Sequence, residues 1–155
     1  MRSVLLAIVM LGLVGCGAQI EATFEQVATP TPTASTTDPD AAMATACEAL
    51  PEADRMISRI GEAVGFLAEG GIDAPGWDAR AQELTAAADD LGEALEPVPG
   101  GGRLGDWKAA LLLLGLDAVD LAQSTTGGDA LRAAQSAEDH VGPAAGLTDQ
   151  LAVDC

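Results

Sequence analysis

An all-α fold is predicted: a small antiparallel, up-down-up-down four-helix bundle behind a disordered Thr/Pro-rich tether. Three observations carry that prediction. Apolar residues recur every three or four positions in four blocks beyond residue 38. The blocks are joined by short Gly- and Pro-bearing connections, which favour antiparallel neighbours. No stretch alternates apolar and polar residues as a half-buried strand does, and strand-favouring residues are sparse.

The first block runs from about Pro39 to Glu69, with Met43, Cys47, Leu50, Ala53, Ile57, Ile60, Val64 and Leu67 on one stripe. Pro51 lies inside it, which predicts a kink or a restart at that residue. Gly70-Gly71 ends the block. The second opens after Asp73 with Pro75 in its first turn, and its stripe is Trp77, Ala81, Leu84, Ala88, Leu91 and Leu95. Pro97-Val98-Pro99 and the glycines after them stop it.

Leu104, Trp107, Leu111, Leu114, Ala118 and Leu121 mark the third block, which Gly127-Gly128 is expected to stop. The fourth opens near Asp129 as N-cap and carries Leu131, Ala134, Ala137, Val141, Ala144, Leu147 and Leu151. Gly142-Pro143 predicts a bend or a split. Aromatics are only 3% of the chain, so the core must come mainly from Leu, Ala, Val and Ile. Alanine at many seam positions predicts close helix approach.

Ahead of the bundle, Thr29 to Pro39 has no apolar periodicity and three prolines. Such a segment cannot bury enough surface to offset ordering, so it reads as an extended spacer. Its Ser/Thr/Pro composition also suits an O-glycosylated stalk.

At the N-terminus, Arg2 supplies a cationic start and Val4 to Val14 an apolar middle. As a helix, that middle rises only ~17 Å, against roughly 30 Å for a bilayer core. Leu13-Val14-Gly15-Cys16 closes the run. The tetrapeptide resembles a bacterial lipobox, the site at which lipoprotein signal peptides are cut. The resemblance implies that Cys16 carries diacylglycerol on its sulfur and becomes the first mature residue. It divides the chain into a signal peptide (1–15), a lipidated flexible linker (16–41) and a helical domain (42–155). It implies a lipid-anchored domain on the extracytoplasmic face of the cell membrane. An ordinary secretory signal and a short uncleaved anchor are the alternatives; the position of the tetrapeptide favours the lipobox. Two acyl chains hold a protein at a membrane stably, so such an anchor suffices by itself.

With Cys16 assigned to lipid, Cys47 and Cys155 remain, and an exported domain favours their oxidation. In an up-down-up-down bundle, the start of the first helix and the end of the fourth lie at one end. A Cys47–Cys155 disulfide is therefore expected.

Composition and motifs mainly exclude. Seven Lys and Arg stand against 24 Asp and Glu, giving a formal net charge of −17. Nucleic acid and anionic lipid surfaces would repel such a domain. Di-metal bundles need Glu-x-x-His twice, whereas His140 is the one histidine and Ala137 stands three residues before it. His140, beside Glu138 and Asp139, reads as solvated or carboxylate-paired. There is no Gly-x-Ser-x-Gly elbow, no calcium loop, and no Lys-Ser/Thr after Gly100-Gly101-Gly102. Asp89, Asp90, Glu93 and Glu96 fall off their apolar stripe and read as a solvated face. Neither enzyme activity nor a cofactor or metal is expected.

The third block is apolar over more than half its circumference. Leu112, Leu116 and Val119 form a second stripe beside the main one, leaving Asp106, Asp117 and Asp120 on a narrow polar strip with Leu113. A helix of that kind is either the best-buried member or has a partner. Leu112, Leu116 and Val119 are therefore the candidate partner surface. The expectation is a non-catalytic, membrane-anchored interaction module for an envelope protein or a second copy of itself. The alternative is an apolar-ligand carrier with a pocket between helices.

Overall fold

A computed structural model describes residues 38–155, and among them the chain forms four helices and no strand. The helices are α1 (Pro39–Gly70), α2 (Trp77–Leu95), α3 (Gly102–Ala122) and α4 (Gly127–Asp154). The expected signal peptide, Cys16 and most of the linker lie outside the described residues. The last residues assigned to the linker, 39–41, belong to α1. Asp38 caps that helix by accepting the Asp40 N–H at 3.0 Å, and Pro39 suits its first turn, where an N–H is dispensable.

Each helix packs on the next in sequence, α4 closes back on α1, and α1 also touches α3 across the centre. Cross-helix contacts pair in reverse order. Arg55 meets Asp90 and Arg59 meets Glu83, while Arg103 meets Asp154 and Asp117 meets His140. The Cys47–Cys155 disulfide is present, with Cα atoms 5.7 Å apart, and ties the first third of α1 to the residue after α4.

The core divides its bulk unevenly. The second and third helices supply Leu84, Leu91, Leu95, Trp107, Leu111, Leu114 and Leu121, all buried. Much of what α1 and α4 bury is alanine: Ala46, Ala49, Ala53 and Ala63 on one, Ala130, Ala134, Ala137 and Ala144 on the other. Beside those alanines, α1 adds Met56 and Ile60, and α4 adds Leu151. Large side chains from α2 and α3 thus enter mostly small-residue faces, and interaxial distance depends on contact size. In α1 the buried face is rotated from the expected stripe, of which Ala53 and Ile60 stay in the core. Met43, Leu50, Ile57, Val64 and Leu67 are half-buried flanks, while Ala42, Ala46, Ala49, Met56 and Ala63 take the centre.

Neither internal proline ends its helix. α1 runs through Pro51 and α4 through Pro143, so neither the restart nor the split occurs. Both rings lie on the exposed side, so the carbonyls of Cys47 and Asp139 that lose a helix partner can turn toward water. Buried Ala49, Ala53 and Ala144 hold the flanking turns on the core. Pro75 precedes α2 rather than opening it. Gly127-Gly128 begins α4 instead of stopping α3, because Thr126 is the N-cap: its Oγ1 accepts the Asp129 N–H at 3.1 Å. Leu131, expected on the buried stripe, is 61% exposed, since Ala130 takes the inward position one residue earlier.

Candidate interaction surface

The second apolar stripe of α3 lies at the surface. Leu112 is 43% exposed, Leu116 64% and Leu113 48%, while Val119 is half-buried. Leu112, Leu113 and Leu116 are thus not packed inside the bundle, and Val119 lies at the margin of their stripe. Leu112, Leu116 and Val119 follow i, i+4, i+7 spacing, the spacing of a helix seam.

Beside this ridge runs a groove of about 360 Å³ between α2 and α3. Its floor is Ala88, Leu91 and Gly92 from α2 with Leu111 and Gly115 from α3; Leu112, Leu116 and Val119 form its far wall. A Cβ at Gly92 would meet nothing within 4 Å, and one at Gly115 would reach only Leu91 Cδ2 at 4.0 Å. The groove is therefore wide partly because two helical positions, one in the last turn of α2 and one within α3, carry no side chain. The sequence placed Ala88 on the stripe of the second block, where it is half-buried, and gave no role to Gly92 or Gly115. A signal was available: each glycine costs ~1 kcal/mol against alanine inside a helix.

The near border of the groove is acidic. Asp89 lines it directly, and Asp89, Glu93 and Glu96 border a continuation along α2 past Ala88 and Gly92. The arginines are occupied elsewhere. Arg55 and Arg59 each bridge a carboxylate of α1 and one of α2, Arg80 reaches Glu62 of α1, and Arg103 and Arg132 pair with Asp154 and Asp129. Lys108 Nζ donates to the carbonyls of Val98 at 2.7 Å and Glu96 at 3.2 Å, just past the end of α2.

A polar cluster joins α3 to α4. Asp117, expected on the polar strip, is only 8% exposed. Its Oδ1 accepts the Ser136 hydroxyl at 2.7 Å, and its Oδ2 lies 2.6 Å from His140 Nδ1. Carboxylate pairing, one of the two states expected for His140, is the one observed. The burial of Asp117 is offset by these two partners. Serine and histidine both bond to the carboxylate, one on each oxygen. The Ser136 hydroxyl thus points to Asp117 and not to the imidazole, unlike a serine-histidine relay.

A second apolar hollow, about 350 Å³, opens between the end of α1 and the start of α4. Val64, Leu67, Ile72, Ala130 and Ala134 line it, and the exposed Leu131 stands at its edge. Among the described residues no group of three or more His, Cys, Asp or Glu is placed to hold a metal ion. No described helix is long and apolar enough to cross a membrane. Comparison with family models, curated proteins and solved structures gives no match.

Proposed function

We propose that this chain is a membrane-tethered, extracytoplasmic interaction module whose docking face is the α2/α3 groove. The observation that carries the docking part is the exposure of Leu112, Leu113 and Leu116 on one helix. Apolar area left in water at helical spacing is compensated when another surface covers it. The tether part rests on Leu13-Val14-Gly15-Cys16 and on the spacer that follows. Diacylglycerol on Cys16 would hold the domain at the membrane, and the linker would leave the groove accessible.

Two measurements test this reading. Metabolic labelling with a fatty-acid analogue should mark the wild type and not Cys16→Ala. Crosslinking in intact cells, from a photoreactive residue at position 116, should trap one defined protein species. Absence of label removes the anchor, and absence of any crosslinked species removes the docking face.

The hollow between α1 and α4 favours a second reading, an apolar-ligand carrier. Its volume falls within the range of small-molecule sites, which starts near ~300 Å³. Ala134→Leu would fill it. A solvatochromic apolar dye that binds the wild type and not this variant would support the carrier.

A further inference from the structure

We propose that the occupant of the α2/α3 groove is a cationic amphipathic helix, seated with its apolar face on Leu112, Leu116 and Val119 and its Lys or Arg flank on Asp89, Glu93 and Glu96. This rests on the docking reading above and adds the chemistry of the partner.

The shape of the groove selects a helix. Its walls are two neighbouring helices, and its exposed ridge repeats at i, i+4 and i+7. The complement of such a ridge is another helix with the same spacing, as in helix-in-groove recognition. Gly92 and Gly115 leave open space where a partner's side chains can enter.

Charge selects the flank. Glu93, Glu96 and Asp89 make no ion pair among the described residues, and the five arginines are engaged at other carboxylates. On the other side of the ridge, Asp120 and Asp106 are also exposed. Both borders of the apolar strip therefore carry unpaired carboxylates, with Lys108 standing at the Glu96 end of one of them. A second copy would set acidic border against acidic border in either orientation, within a chain of formal charge −17. An anionic or neutral helix would leave those carboxylates partly desolvated and uncompensated.

The probe is a designed amphipathic peptide with a leucine seam and lysine flanks; its counterpart carries glutamate at every lysine position. Each is titrated by fluorescence anisotropy into the full-length protein and its variants at two ionic strengths. The lysine peptide should bind at least about tenfold tighter than the glutamate peptide, with the gap narrowing as salt rises. Neutralising Asp89, Glu93 and Glu96 to Asn, Gln and Gln should shrink the gap and leave residual apolar binding. Leu116→Asp separates seating from general attraction. It makes the protein more negative, so loose electrostatic binding would strengthen, whereas seating in the groove weakens about tenfold or more. Gly92→Leu should likewise weaken binding, by filling the groove where the fold leaves space.

Equal binding of both peptides would overturn the cationic partner and leave the docking face standing. Binding unchanged by Leu116→Asp and Gly92→Leu would place the peptide elsewhere and overturn the proposal. Failure of both peptides would overturn the helical occupant, while the position-116 crosslink reports separately on the docking face. A dimer in sedimentation, lost in Leu116→Asp, would make a second copy the occupant and overturn it too.

Discussion

The indole N–H of Trp107 donates to Thr148 Oγ1 at 3.0 Å inside the core, and the same hydroxyl donates to the Ala144 carbonyl at 2.8 Å. One threonine thus satisfies the polar atom of the largest buried side chain and its own hydroxyl at once. Thr148→Val keeps the shape and removes the acceptor, leaving a buried N–H without a partner. The expected loss is about 1–3 kcal/mol of unfolding free energy. Thr148→Ser keeps the acceptor and should lose less. Urea denaturation of the two variants checks the difference, which should appear in the midpoint and not in the slope.

Asp117 and His140 should be energetically coupled. The carboxylate is nearly buried, whereas the His140 side chain is 39% exposed, so the pair is worth less than a fully buried one. Asp117→Ala is expected to destabilise by about 1–3 kcal/mol through loss of both partners. His140→Ala should cost less, because Ser136 still occupies the other oxygen. A double-mutant cycle should return a coupling of about 0.5 kcal/mol or more. A coupling of zero would make the 2.6 Å contact energetically idle.

The legible part of this fold was its periodicity. Leu84, Leu91, Leu95, Trp107, Leu111, Leu114, Ala118 and Leu121 are buried where their spacing placed them. What a single-helix pattern does not carry is the identity of the neighbour. The α1 face turned because alanine there fits the bulk of α2 and α3, a property of the opposing helices. Asp117 resembles Asp106 and Asp120 in projection, and only Ser136 and His140 across α4 distinguish it. The helices continue through Pro51 and Pro143 for a related reason: packing on both sides holds a helix that local propensity would interrupt. At the candidate surface, Leu112 and Leu116 were legible as excess apolar area. The floor from Ala88 and Gly92 needed the α2/α3 pairing.

The Cys47–Cys155 disulfide closes a loop across a sequence separation of 108, nearly the whole described domain. Restricting an unfolded chain over that span stabilises by up to about 4–5 kcal/mol in the loop-entropy picture. That contribution matters in a core so rich in alanine, where each buried methyl contributes little transfer energy. Cys47→Ser and Cys155→Ser should each lower the melting temperature, and adding reductant to either should lower it no further. Denatured, unreduced protein should show no reactive thiol at positions 47 or 155 by alkylation and mass spectrometry.

Gly92 and Gly105 should respond oppositely to the same substitution. Both lie within helices, so alanine at either gains up to ~1 kcal/mol of helix propensity. At Gly92 nothing opposes that gain, because an added Cβ meets open space in the groove. At Gly105 the Cβ would lie 2.6 Å from the Gly100 carbonyl oxygen and 2.7 Å from its carbon. Those are backbone atoms of the turn leading into α3, and they cannot rotate aside as a flexible side chain would. Gly92→Ala should therefore raise the melting temperature and Gly105→Ala should lower it, measured side by side by circular dichroism. If Gly92→Ala also weakens binding of the lysine peptide, the glycine trades helix stability for access to the groove. Stabilisation with unchanged peptide affinity would mean that the space above Gly92 is not used by the occupant.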